Sequence, residues 1–551
     1  MTIEINFSKQ YEYTVQINHD DFISLGEATL KFGSKHWPHI SFEDWRASLQ
    51  LIDKKKYDQL KAVTKDGHAF TLFNCSVTGH HVSVDCIVAG DVTGEFKSIQ
   101  IRFNDISEWF MPFRSIEEKL NQESGQSNPH KQICEIINTQ KESFKFKSES
   151  VLQVTKTGED HIVHEHTVFI FECITGSFSK NDLRNKPRDL STLLSILIAM
   201  PLYIVSIQAE CIEGRVHHVF FPTFKNKDQD SQSNNWLDYF TPKQILDNRW
   251  HVILENYYNS DFREILWTRL SGMQRYEGFW EYKALGYVSL LDKYVDLKAK
   301  NIKKKKTSKE ELRDSRIQTE LQNASPKLTA NQESFIFDII IKCFMNGNKA
   351  HFKDKYNHVL ENTDSSIRSI INLTNADFIK IKEIRDAIAH GDAPDLIESD
   401  HGKIGTIISK IALLLTYWAF IDFGLNKKDF LTSLKSHSQL VFLADIDRVE
   451  LARENNSAGF FTVPKEKFES LSKIKGIRVN SCFLVYSNGD IEYSESHTLS
   501  FKSWLEKGIS GIIPVAEIFK KDLEEIKCWG IAYIECEKEI LEIIQPYFIN
   551  A

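Results

Sequence analysis

The sequence predicts a multidomain α+β protein, and three observations support this fold class. The chain has 551 residues, which is more than one hydrophobic core usually holds. Segments that alternate apolar and polar residues are followed by a long stretch with apolar residues at three- and four-residue steps. Strand-like segments then return. We therefore expect a β-rich N-terminal domain over residues 1–244, an all-α bundle over 245–432 and a C-terminal α+β module over 433–551.

The N-terminal segments have the two-residue period of strands with one buried face. They are TVQIN, GEATLKF, HAFTLFNCSV, HHVSVDCIVAG and KSIQIRFNDI. This pattern predicts an antiparallel sheet or sandwich with one face in water. A hairpin is expected from Phe144 to Cys173, with KTGED as its turn, and residues 182–206 begin as a helix and become strand-like.

The central stretch changes to helical periodicity near Thr241. Residues 256–298 predict two helices or one broken helix, and residues 403–425 are apolar nearly all round. A helix of that kind must be buried on more than one side, so we expect it to pack on a second protomer as well as on its own core. Its longest apolar run, residues 411–421, is too short to span a bilayer, and no membrane association is expected.

The most informative segment is TNADFIKIKEIRDAIAHGD, from Thr374 to Asp392. Thr374 with an acid three residues later is typical of a capping box, and Gly391 followed by Pro394 is typical of a helix end. Isoleucines and a phenylalanine recur on one face, which predicts an amphipathic helix. The residues with chemistry on it form the pattern R-D-x-x-x-H and are Arg385, Asp386 and His390.

On these residues the helical block, 245–432, resembles the HEPN superfamily, whose ribonuclease members carry an Arg, a polar residue and a His a few positions later. It is most similar to the ApeA-type bacterial anti-phage HEPN proteins, in which a β-rich domain precedes the HEPN domain. The phrases DGHAFTLFNC, HHVSVDCIVAG and IRFNDISEWF also resemble the ApeA N-terminal domain. The pattern Arg-x4-His occurs once in the chain.

The resemblance implies a metal-independent endoribonuclease. RNA cleavage without metal needs a base for the ribose 2′-OH, an acid for the leaving 5′-oxygen and a cation for the phosphorane. His390 suits the proton transfers and Arg385 suits the phosphate, while Asp386, one turn before His390, can hold its ring. Arg385 and His390 lie about 140° apart around an ideal helix, so a homodimer formed through the HEPN domain would supply both groups twice to one composite site.

The resemblance also implies a defence role, namely abortive infection triggered by phage. We expect tRNA as the substrate, 2′,3′-cyclic phosphate and 5′-OH ends as the products, and a phage-encoded protein as a candidate trigger. The net charge of −8 means that any RNA surface is a local basic patch. The run of Lys303, Lys304, Lys305 and Lys306 is either an RNA-backbone contact or a solvated linker.

No cofactor and no metal are expected. The nine cysteines are scattered without a C-x-x-C pair, and the N-terminus has no signal-peptide pattern, which together favour a reducing cytoplasm. Two alternatives stay open. One is a non-catalytic HEPN-like dimerisation or binding protein that acts as a phage-sensing or regulatory module, with Arg385 paired at the surface to Glu383 or Asp386. The other is a metal-dependent nuclease that uses His161, His164 and His166.

Overall fold

The computed structural model describes residues 3–19, 22–43, 56–78, 81–111, 132–158, 160–223, 238–300, 302, 308–323, 327–344, 350–394, 400–506 and 515–551. The chain forms two compact units. The first is Met1–Asn362 with Leu373–Asp445, and the second is Thr363–Asn372 with Ile446–Ala551. The boundary expected after residue 244 therefore lies inside the first unit. The lysine run 303–306 lies outside the described residues.

The first unit contains the N-terminal strands. They are β1 (Gln10–His19), β2 (Phe22–Gly33), β3 (His36–Phe42), β4 (Lys56–Thr64), β5 (Ala69–Thr78), β6 (His81–Ser83), β7 (Cys86–Val88), β8 (Glu95–Phe103), β9 (Cys134–Asn138), β10 (Ser143–Thr157), β11 (Asp160–Cys173), β12 (Phe178–Ser179), β13 (Ile204–Cys211) and β14 (Val216–Phe220).

These strands form one antiparallel sheet that partly closes on itself. Strands pair in the order β4-β1-β2-β3-β6-β5, and a further β4–β5 pairing closes them into a ring. The sheet continues from β5 through β7-β14-β13-β8-β11-β10-β9, with β12 on β8. Apolar residues at alternate positions, such as Leu30, Phe32 and Ile40, are fully buried, as the two-residue period requires. The predicted hairpin is β10–β11.

The helices follow and interrupt this sheet. They are α1 (Ser107–Phe110), α2 (Asp182–Ile198), α3 (Lys243–Leu246), α4 (Trp250–Asn259), α5 (Thr268–Gln274), α6 (Trp280–Lys298), α7 (Ser308–Gln322), α8 (Ala330–Phe344), α9 (Phe352–Glu361), α10 (Ser365–Ile371), α11 (Asn375–His390), α12 (Asp400–Asp422), α13 (Lys427–Ser433), α14 (Gln439–Ala444), α15 (Arg448–Glu454), α16 (Lys465–Ser472), α17 (Glu495–Glu506) and α18 (Val515–Phe519), with a π-helical turn at Arg263–Trp267.

A buried charged cluster connects the hairpin, α2 and the π-helical turn. The ammonium of Lys186, 2% exposed, pairs with Glu142 and lies over the ring of Tyr258. Arg263 lies 3.6 Å from Glu142 and 3.9 Å from Asp189. Burial raises the pKa of Asp189 to about 6, although the positive charge of Arg263 opposes the shift. The β-rich part and the first helices therefore share one packed and charged interior.

Helix α12 is buried more completely by its own chain than we expected. Every residue from Ile411 to Phe420 is buried, and α12 packs on α2, α6 and α14. The helix is long and apolar enough to cross a membrane by length and composition alone, but 72% of its apolar window is buried inside the protein. One chain thus covers residues 411–420 by itself, and packing of this helix on a second protomer stays a prediction.

The second unit is the C-terminal α+β module, and its strands form two small sheets. The strands are β15 (Gly459–Thr462), β16 (Cys482–Val485), β17 (Ile491–Tyr493), β18 (Ile526–Cys528), β19 (Ile531–Cys536), β20 (Glu539–Ile544) and β21 (Tyr547–Asn550). The sheet orders are β15-β19-β20 and β17-β16-β21-β18. Helices α10 and α15–α18 complete the unit. With a β-rich sheet, a helical region and this module, the predicted fold class is confirmed.

One segment changes type. The stretch SQLVFLADI reads as a strand from its apolar residues, but it forms α14. Ser438 caps the helix by accepting a hydrogen bond from the Val441 amide. Val441 and Ala444, three residues apart, are both fully buried. The cap and this spacing favour a helix over a strand.

Candidate active site

The segment with the Arg and His residues folds as its end signals predict. The hydroxyl of Thr374 accepts a hydrogen bond from the Asp377 amide at 3.1 Å, and the Asp377 carboxylate accepts one from the Thr374 amide at 3.1 Å. The helix ends at His390, and Gly391 follows with φ of +82°, a conformation that glycine adopts without strain. The capping box and the glycine stop are thus confirmed.

The buried face of α11 determines where its polar residues lie. Phe378, Ile381 and Ile384 are buried, and the Phe378 ring stacks on Tyr356 of α9 with centroids 4.2 Å apart. Helix α11 also packs on α6. Because side chains three and four positions apart share a face, this packing turns Arg385 toward α6 and α9 and leaves the C-terminal end of the helix in solvent.

Arg385 is held by three neighbours. Its Nη2 donates to a carboxylate oxygen of Asp292 at 2.7 Å, and its Nη1 donates to Asp386 at 2.9 Å. The guanidinium also lies over the ring of Phe352, 5.5 Å from its centroid. The Arg385 side chain is 22% exposed. The guanidinium is therefore fixed in orientation by two carboxylates and an aromatic face.

The pKa values of the two carboxylates are shifted in opposite directions. Burial raises the pKa of Asp292, and the neighbouring charge of Arg385 only partly opposes that shift. Burial also acts to raise the pKa of Asp386, but hydrogen bonds and charges from Lys382 and Arg385 outweigh it and hold the pKa below its usual range. The Lys382 ammonium donates to Asp386 at 2.7 Å. The Asp386 charge is thus shared between two cations.

The structure does not place Asp386 on His390. Its carboxylate accepts from Lys382 and Arg385, and within the described part of the chain no hydrogen bond involves the His390 ring, which is exposed. The prediction that Asp386 contacts the His390 ring is therefore wrong. Lys382 and Arg385 of the same helix hold the carboxylate through two charge-assisted hydrogen bonds. Glu383 is exposed, and Arg385 pairs with Asp386 rather than with it.

Asp292 is the residue that sequence reasoning missed. It lies on α6, 93 positions before Arg385, and α6 also presents Asp296 one turn later, where it pairs with Lys355 of α9. The only signal in the sequence is two aspartates with i,i+4 spacing, which is common on solvated helices. The contact became visible only once the packing of α6 against α11 was known.

The arrangement can bind a phosphate and exchange protons. Arg385 has five N–H donors, and its terminal nitrogens each use one on a carboxylate, so each retains one more. His390 is exposed at the helix end, where an incoming RNA could reach it. Among the described residues, no cluster of three His, Cys, Asp or Glu side chains could hold a metal ion.

The described histidines of the hairpin, His164 and His166, belong to no group of three side chains that could hold a metal ion. His164 is exposed on β11, and burial lowers the pKa of His166 to about 4. The side chain of His161 lies outside what the structure describes. The nearby positive charge of Arg102 also lowers the pKa of His166, and a cation beside the ring disfavours a bound metal ion.

Comparison with known families matches most of the chain. Residues 5–257 match the family described as ApeA N-terminal domain 1, and residues 285–429 match the family described as Apea-like HEPN. No curated protein and no solved structure matches the chain. HEPN domains are in general ribonucleases, and the Apea-like group belongs to anti-phage nucleases. The helix with Arg385 and His390 lies inside the second match, and the two matches together show that this chain belongs to the ApeA-type HEPN proteins.

Proposed function

We propose that this protein is a metal-independent endoribonuclease that cuts tRNA after phage infection. One His390 acts as the base that takes the ribose 2′-OH proton, and a second His390, from the partner protomer, donates a proton to the leaving 5′-oxygen. Arg385 stabilises the charge that develops on the phosphate. The products are a 2′,3′-cyclic phosphate and a 5′-OH end.

The observation that carries this proposal is the support of Arg385. A guanidinium held by Asp292, Asp386 and the Phe352 ring loses little freedom when it meets a phosphate, which is the preorganisation that electrostatic catalysis needs. The exposed His390 on the same helix supplies an imidazole, the side chain that most often transfers protons in catalysis.

A homodimer follows from the chemistry rather than from any uncovered apolar face. Arg385 and His390 are five positions apart, about 140° around the helix and about 7.5 Å along it. A single helix therefore presents them to different sides. Two copies of α11 related by a two-fold axis would bring two arginines and two histidines to one groove.

The biological setting is also part of the proposal. We propose that the enzyme acts in the cytoplasm, is idle in a healthy cell and is activated by infection, with a phage-encoded protein as trigger. Cleavage of a few essential tRNA molecules would then arrest translation. The membership in the ApeA-type family supports this setting.

The test is cleavage of purified total tRNA in EDTA. Wild type is compared with Arg385→Ala, His390→Ala and, as a matched control, His437→Ala, which removes another exposed histidine of the same unit. The proposal expects cyclic-phosphate ends with wild type and the control and none with the other two. Equal cleavage by all four proteins would refute the assignment of these residues.

A non-catalytic binding module is the second candidate, and one observation favours it. Arg385 already contacts two carboxylates, and no described residue orients the His390 ring. Phage challenge of cells that express wild type or His390→Ala separates the candidates. Full protection by folded His390→Ala protein would favour the binding module, and loss of protection would favour the nuclease.

A further inference from the structure

A cavity of about 510 Å³ lies in the first unit, away from Arg385 and His390. Helices α2 and α5 form one side, and the start of β13 with the segment after β14 forms another. Its size is within the range of pockets that hold small organic ligands. None of the residues so far assigned to RNA cleavage lines it.

The cavity is strongly cationic. Arg184, Arg188, Arg269 and Arg275 all line it, and Asp85 is the one acidic residue among its described lining. Asp85 is already engaged, because it accepts two hydrogen bonds from Arg184 at 2.6 and 2.8 Å. In the described part of the chain, Arg188 and Arg269 form no ion pair. Such an excess of positive charge is unexpected in a protein of net charge −8.

Arg188 and Arg269 are exposed, whereas Arg184 and Arg275 are partly buried. The Nη2 of Arg275 donates to the Ser191 hydroxyl at 2.6 Å and to the Leu202 carbonyl at 3.2 Å, which are neutral acceptors. Burial lowers the pKa of Arg275, and the positive charge of Arg188 acts in the same direction. Partial burial of a guanidinium without a counter-charge carries a desolvation cost, which an anion in the cavity would reduce.

The remaining walls are apolar and aromatic. Leu202, Ile204 and Pro222 line the cavity together with Tyr203 and Trp37. The Trp37 side chain is 77% exposed, which is unusual for so large an aromatic group. An exposed indole at the edge of a cationic cavity is the arrangement that stacks on nucleobases.

We propose that this cavity binds a nucleotide, with the phosphates on Arg188, Arg269 and Arg275 and the base against Trp37. A small inorganic anion would leave most of the space and the apolar walls unused. An uncharged apolar ligand would leave the arginines without a counter-charge. A nucleotide would place its phosphates against the arginines and its base against the apolar and aromatic walls. Helix α5 packs on α6, which bears Asp292, so the occupant would lie one helix away from the candidate active site.

The test is calorimetric titration of the full-length protein with nucleoside mono-, di- and triphosphates. Two control probes are nucleosides, which lack the phosphates, and inorganic phosphate, which lacks the base and the sugar. We expect at least one nucleotide to bind at least tenfold more tightly than its nucleoside and than phosphate. The absence of binding by every nucleotide up to about 1 mM, the weak end of measurable affinity, would overturn the proposal.

Variants locate the site. Arg188→Gln with Arg269→Gln removes two charges that form no ion pair in the described part of the chain, and should weaken nucleotide binding at least tenfold. Trp37→Ala should weaken it as well. Arg215→Gln, an exposed arginine beside Glu213 on the β13–β14 connection, is the control and should have no effect. Nucleotide binding that all these variants retain would overturn the assignment.

RNA is the competing occupant, and the same variants distinguish it. If the double variant weakened binding of a single-stranded oligonucleotide while no free nucleotide bound wild type, the cavity would be part of an RNA surface and the proposal would be wrong. Because the readout is binding, it does not depend on whether the protein cleaves RNA.

Discussion

Asp292→Asn is the most direct test of how Arg385 is positioned. The substitution keeps the shape of the side chain and an oxygen that can accept a hydrogen bond, but it removes the negative charge 2.7 Å from the Arg385 guanidinium. Arg385 then keeps its ion pair with Asp386 and its contact with the Phe352 ring, but only a neutral acceptor faces its Nη2. We expect a guanidinium with more freedom and a slower chemical step.

The size of the effect follows from the exposure of the pair. A hydrogen bond to a charged group contributes about 1.5–3 kcal/mol when it is buried, and an exposed ion pair contributes at most about 1 kcal/mol. Asp292 is 38% exposed and Arg385 is 22% exposed, so the contact lies between these limits. A loss of about 1.4 kcal/mol in the transition state corresponds to a tenfold lower rate.

The assay is single-turnover cleavage of tRNA in EDTA over a range of enzyme concentrations. If Asp292 acts on the transition state, the maximal single-turnover rate constant falls about tenfold and the enzyme concentration that gives half of it changes little. Asp296→Asn is the matched control, because it removes the same charge one turn further along α6 from a pair with Lys355. Wild-type cleavage by Asp292→Asn, or an equal loss in both variants, would refute the positioning role.

Three further predictions concern stability. Asp189→Asn should stabilise the protein by up to about 3 kcal/mol at pH 8 and have no effect near pH 3. Asp189 has a pKa of about 6 in the folded state and its ordinary, lower pKa in the unfolded state. Wild type therefore loses stability as the pH rises from the ordinary pKa to about 6, because only the unfolded state releases the proton readily in that range. Denaturant titrations of both proteins at each pH would show this, and a difference that does not change with pH would contradict it. Thr374→Ala removes a helix cap and should cost about 1 kcal/mol in the free energy of unfolding, measured by denaturant titration; an unchanged value would mean that α11 does not depend on its cap. Lys186→Met leaves the half-buried Glu142 without its main cation and should cost about 3–5 kcal/mol, seen as a lower midpoint of thermal unfolding, whereas Lys141→Met, at an exposed lysine beside it, should not.

The sequence was most informative where the signal is local. The ends of α11 depend on contacts between residues three or four positions apart, such as Thr374 with Asp377, and on the conformational freedom of Gly391. The antiparallel strands likewise follow from a two-residue period. These features need no knowledge of distant residues, and the structure confirmed them.

The sequence was ambiguous where only the number of apolar residues indicated how a segment packs. The apolar surface of α12 suggested packing on a second protomer as well as on its own core, and the structure shows that its own chain covers residues 411–420. The stretch that became α14 reads as a strand until the cap by Ser438 and the burial of Val441 and Ala444 are known. In both cases the number of apolar residues is compatible with several environments, and only the neighbours decide among them.

The same distinction between local signals and tertiary packing applies to the candidate active site. The sequence by itself determined a capped helix with Arg385 and His390 near its end, because helix signals and motif spacing are local. Only the tertiary structure decided that Arg385 pairs with Asp292. It also decided that Asp386 pairs with Arg385 and Lys382, and not with His390. The lining of one cavity by four arginines was likewise visible only in the structure. Such contacts join residues up to 93 positions apart, and their formation depends on how helices pack, which no local pattern encodes.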